Sequence, residues 1–133
     1  MAGVTTDLLA DVAETFERTI RVRIFDSAGP GEPHRKRRGR RSVLADQRDA
    51  EALTHLRTAL ALRPDTEVMD WMQWPDLWLE LLGPDDGRLA VIGYLRPDWL
   101  RWESDGDLEL RDPTAFVQWL TRWAPAAATA TAG

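Results

Sequence analysis

The stretch Leu77 to Glu103, LWLELLGPDDGRLAVIGYLRPDWLRWE, constrains the fold more than any other part of the chain. Two apolar runs flank Gly83-Pro84-Asp85-Asp86-Gly87, five residues that break a helix and supply the backbone angles of a tight reversal. A β-hairpin is the expected result. Arg96-Pro97-Asp98 marks a second reversal, and the short aromatic run Trp99-Leu100-Arg101-Trp102 predicts a third antiparallel strand. Alternation places Leu77, Leu79 and Leu81 on one face, matched across the turn to Leu89, Val91 and Leu95 as the core side. The other face then collects Trp78, Glu80 and Leu82 with Arg88, Ala90, Ile92 and Tyr94.

The flanking segments supply elements to pack on this meander. Leu8, Leu9, Val12, Phe16 and Ile20 recur at three- and four-residue spacings, which predicts an amphipathic helix over 6–20. From Thr19 the period falls to two, with Val22 and Ile24 alternating with Arg21 and Arg23, and a strand is expected. Residues 42–45 read as a short strand returning onto it, and Asp46 as the cap of a second helix striped by Ala50, Leu53, Leu56 and Leu60. Residues 67–72 read as a further strand, and 107–110 as an edge strand after the Asp105-Gly106 turn. Asp112-Pro113 opens a final helix whose stripe is Phe116, Trp119, Leu120 and Trp123. Three amphipathic helices need one sheet face to cover. The fold class expected is therefore α+β, a two-layer sandwich with a mainly antiparallel sheet of five to six strands and three helices on one face. Residues 1–124 form a single domain, with a flexible basic loop at 28–42, and 125–133 a disordered Ala/Thr tail.

At 133 residues the chain suits one core and not two. A charged fraction of 29% and a hydrophobic fraction of 44% are those of a globular protein, not of a disordered or membrane-spanning one. No membrane partner is expected. The N-terminus carries early acids and no basic region of the kind a signal peptide has, so a cytoplasmic protein is expected. The sequence holds no cysteine and only His34 and His55, which excludes disulfides and thiolate chemistry and argues against a metal site. Neither a metal nor an organic cofactor is expected, and no phosphate-cradling glycine loop is visible.

From the first strand onward, the order of features resembles a set of small actinobacterial proteins of unknown function. These carry a Cys/His-rich segment before a Gly-Asp and an LEL strand, then a strand ending in His-His-Gly, an LRW strand and a terminal WL helix. The matching positions are Trp78-Leu79-Glu80-Leu81, Ala90-Val91-Ile92-Gly93, Leu100-Arg101-Trp102 and Trp119-Leu120. Met69-Asp70-Trp71-Met72 stands in place of the Cys/His cluster, and Tyr94-Leu95-Arg96 in place of His-His-Gly. The resemblance implies the fold and no activity, and any metal ligands of those proteins are missing from this chain.

Three functional readings follow from the residues. The first is a non-enzymatic protein-interaction module, an adaptor, an immunity-type inhibitor or an oligomer subunit, that binds another protein or a second copy of itself. It would use the sheet face that the helices leave open, where Arg21, Arg23, Trp78, Glu80, Tyr94 and Arg101 are expected to meet. A plain solvated face with arginine stems over aromatic rings is the alternative. The second reading is a cofactor-independent enzyme or ligand binder, in which Asp70, Asp76 or Glu80 is desolvated by neighbouring indoles. Each of these carboxylates also has an ordinary role available as turn residue, cap or arginine partner. The third is binding of an anionic partner, nucleic acid included, through Arg35, Lys36, Arg37, Arg38, Arg40 and Arg41. Without these six the chain holds 11 basic against 22 acidic residues, so a cationic arm would project from an acidic body. The arm holds no aromatic residue for base stacking. Five of the seven tryptophans lie in or beside the meander, which suits either a tryptophan-rich core or a binding face.

Overall fold

The meander and the first strand join in one six-stranded antiparallel sheet in the computed structural model, which describes residues 2–27, 43–102 and 106–132. The elements in chain order are α1 (Ala2–Arg18), β1 (Arg21–Phe25), β2 (Val43–Gln47), α2 (Ala50–Ala59), β3 (Leu77–Leu82), β4 (Arg88–Leu95), β5 (Trp99–Trp102), β6 (Gly106–Glu109), α3 (Pro113–Trp123) and α4 (Pro125–Ala132). Strand order is β2-β1-β3-β4-β5-β6. The fold is therefore α+β, with four helices where the sequence predicts three. The expected basic loop at 28–42, with its six arginine and lysine residues, lies outside the described residues.

Val22, Ile24, Leu77, Leu79, Leu81, Ile92, Leu100 and Leu108 form the sheet side of the core. Val12 and Phe16 of α1, Leu53 and Leu56 of α2, and Phe116, Trp119 and Leu120 of α3 close over it. Each buried leucine or phenylalanine contributes about 1.5–3 kcal/mol relative to exposure. Two polar groups lock the helices. The Trp119 indole donates to the Ala52 carbonyl at 2.8 Å, and the Arg57 guanidinium donates to the carbonyls of Phe16 and Thr19 at the end of α1.

Several expectations need correction. The register of β3 on β4 pairs Leu77 with Tyr94, Leu79 with Ile92 and Leu81 with Ala90. Ala90, Ile92 and Tyr94 are thus on the core side, and Val91, opposite Glu80, is on the other. The run from Leu89 to Leu95 is apolar at both parities, so alternation is silent about which set turns inward. The turn decides it. A 3-10 turn, Pro84–Asp86, with a register shift at Leu81/Leu82, sets the parity. Its positive φ angles are carried by Asp85 and Asp86, at 60° and 58°, and not by the flanking glycines.

The cap of α2 is Asp49, whose carboxylate accepts from the Ala52 amide at 2.9 Å, because β2 runs on through Asp46 to Gln47. The tail expected to be disordered is α4, with Ala127 in the core, Ala128 packed against it and Arg96 donating to the Thr131 carbonyl. Alanine has the highest helix propensity and too little bulk to print a stripe in the sequence. The strand expected over 67–72 is absent, and only an isolated bridge joins Met69 to Asp107. That segment crosses the open side of the sheet instead.

Candidate functional site

The face of the sheet away from the helices is divided in two. Over β1, β2 and β3 it is a lattice of ion pairs. Arg21 holds Asp46 with Nε to Oδ1 at 2.7 Å and reaches Asp86 at 3.0 Å. Glu80, buried, accepts from Arg88 at 2.6 and 2.8 Å and meets Arg23 at 3.4 Å. Arg21 keeps the Asp46 carboxyl below its ordinary value, and the two carboxylates Asp46 and Asp86 raise the guanidinium in return. Long arginine stems lie along the sheet here, with the Arg23 guanidinium 5.3 Å from the centre of the Phe25 ring.

Over β4, β5 and β6 the face is covered by the segment 66–76, a strap without regular structure except for its bridge at Met69. Three anchors hold it. Asp107, fully buried, accepts from Arg101 Nε at 2.8 Å and from the Trp71 backbone N–H at 2.9 Å, while Arg101 also donates to the Trp71 carbonyl at 2.7 Å. Pairing with Asp107 raises the Arg101 pKa, so this cation stays charged. At the second anchor Pro75 rests on Gly93, where a side-chain β-carbon would lie 2.7 Å from the proline Cγ. At the third, Val68 rests on Gly106, whose φ of +130° also suits glycine. Asp76 ends the strap, donating its amide to the Tyr94 carbonyl and accepting from the Arg96 amide at 2.9 Å.

A backbone held this firmly presents its large side chains outward. Met72 is 99% exposed, Trp74 67% and Trp71 40%. The two indoles are each braced edge-on by a tryptophan of the sheet, Trp71 by Trp99 at 5.4 Å and Trp74 by Trp78 at 5.9 Å between ring centres. Trp74 and Trp78 both donate their ring N–H to the Ser27 carbonyl, at 2.7 and 3.2 Å. The result is two braced indole pairs, with an exposed Met72 between Trp71 and Trp74 in sequence, on a fixed frame.

The structure thus separates the residues the sequence proposed for one surface. Arg21, Arg23 and Glu80 belong to the ion-pair lattice, Trp78 lies at the border and Arg101 lies beneath the strap. Tyr94 is on the core side, its ring edge-on to Phe116 at 4.8 Å, and burial raises its pKa. The three candidate catalytic carboxylates do not converge. Asp76 caps the β4–β5 turn, Glu80 neutralises arginines and Asp70 is exposed on the strap. Two grooves on the helix side contain none of them. One, of about 330 Å³, runs beside Leu9, Phe16, Leu60 and Pro64, and one of about 480 Å³ beside His55, Gln118, Arg122 and Trp123.

Sequence reasoning missed Met72, Trp74 and Trp71 as the exposed set. The signal present was the density of tryptophan between two prolines, Pro64 and Pro75, in a stretch with poor period. Among the described residues no cluster of histidine and carboxylate side chains can hold a metal ion, and no helix is long and apolar enough to cross a membrane. No family model matches the chain, nor does any curated protein or solved structure.

Proposed function

We propose that the chain is a protein-binding module, without enzymatic activity of its own, whose docking surface is the strap 66–76. The observation that carries this reading is a nearly fully exposed Met72 between two exposed indoles, on a backbone pinned by Asp107, Gly93 and Gly106. Scattered exposed apolar residues are ordinary, but three large ones exposed within four residues of an anchored segment point to an interaction site. Tryptophan held in one orientation loses little freedom when covered, which is why it dominates binding hot spots. The composition without cysteine is compatible with work in the cytoplasm.

A photo-reactive residue in place of exposed Gln73 tests the reading in cells that make the protein. A cross-linked product that disappears when Trp71 and Trp74 are both alanine supports it. A control label at Val117, exposed on α3, is expected to give no such product. Equal products from both positions, or none from position 73, would refute it.

A further inference from the structure

We infer that the strap's occupant is a cationic segment of a partner protein, arginine-rich with interspersed apolar residues; this rests on the strap being a protein-binding surface. The strap's own charge is one-sided. The strap, residues 66–76, carries Glu67, Asp70 and Asp76 and no basic residue. Glu67 and Asp70 are exposed on the strap, Asp70 next in sequence to Trp71. Of the bases beside the strap, Arg101 is paired with Asp107, and Arg63 with Asp65 and Glu109.

Acid-rimmed indole surfaces suit a guanidinium, which lies flat on a ring while its N–H groups reach a carboxylate. Methionine adapts to the apolar residues between. The same charge argues against the other occupants. Strap-to-strap pairing of two copies would set one acidic strap against another, and an anionic membrane surface would be repelled by Glu67 and Asp70.

The probe is a fluorescently labelled decapeptide with five arginines around leucines, compared with the same peptide carrying glutamine for arginine. It is titrated into the full chain and followed by anisotropy. The arginine peptide is expected to bind at least tenfold tighter than the glutamine peptide. Trp74→Ala is expected to weaken it about tenfold, and Glu67→Gln with Asp70→Asn about fivefold with a flatter dependence on salt. All these residues are exposed, so unchanged circular dichroism is expected to confirm folding of each variant. A variant with glycine and serine in place of residues 34–41 removes the chain's own bases: unchanged binding supports a partner's segment, and binding that tightens tenfold or more would show the chain's own basic stretch to be the occupant and overturn the inference. Equal binding of both peptides would overturn the cationic preference while leaving the strap a protein-binding surface. Binding of neither peptide, or binding untouched by Trp74→Ala, would overturn the inference too.

Discussion

Replacing Asp107 by alanine is expected to detach the strap and cost about 3 kcal/mol of stability. The side chain is 0% exposed and takes hydrogen bonds from Arg101 and from the Trp71 amide. Removing one member of a buried ion pair costs about 3–5 kcal/mol, because the other charge is left without compensation. Arg101 keeps 21% of its side chain accessible and retains its bond to the Trp71 carbonyl, so the low end applies. Against a total of about 5–15 kcal/mol for a domain, that is a large fraction. Arg101→Ala leaves the opposite charge stranded in a fully buried place and is expected to cost at least as much. The double variant strands neither and is expected to be less destabilised than the sum by about 2 kcal/mol or more. Equilibrium urea unfolding followed by tryptophan fluorescence measures all three. Strictly additive single variants, or an Asp107→Ala cost under about 1 kcal/mol, would refute the anchoring role.

The remaining predictions concern the other supports of the fold. Gly93→Ala puts a methyl group 2.7 Å from Pro75 Cγ and is expected to destabilise by about 1–2 kcal/mol, with the Trp74 and Trp78 indole resonances shifting in NMR spectra; unmoved indoles would show that Pro75 does not seat there. Asp49→Ala is expected to cost about 1 kcal/mol in urea unfolding through loss of the α2 cap, a loss that Gly reduces to a few tenths. The Asp46 carboxyl is depressed in the folded state by its hydrogen bond from Arg21, so its contribution is complete above the unfolded value near 3.8 and fades as pH falls through the folded one. Because Asp46 is 39% exposed, screening keeps the effect to a few tenths of a kcal/mol, read as a smaller pH dependence of stability below pH 4 in Asp46→Asn.

Elements with a clean local period were legible in the sequence. Val22 and Ile24 against Arg21 and Arg23, the Leu77-Leu79-Leu81 alternation, and the Phe116-Trp119-Leu120 stripe behind its Asp112-Pro113 start all stand in the structure as residue order implied. So did the α+β class, since amphipathic helices beside a meander have few other ways to bury their stripes.

Three matters waited on the tertiary structure. The parity of β4 could not be read from a run apolar on both faces, and it moved Tyr94 from the binding face to the core. Helix α4 carries only alanine and threonine after its proline, and it is an element because Ala127 and Ala128 find the core. The strap has no period at all, and its course over the sheet depends on contacts distant in sequence: Pro75 with Gly93, Val68 with Gly106, and Trp71 with Asp107 and Arg101. A local pattern reports how a segment meets one neighbouring surface. The strap lies between a sheet and solvent, held by single residues, and so its exposed tryptophans were visible in composition but not in place.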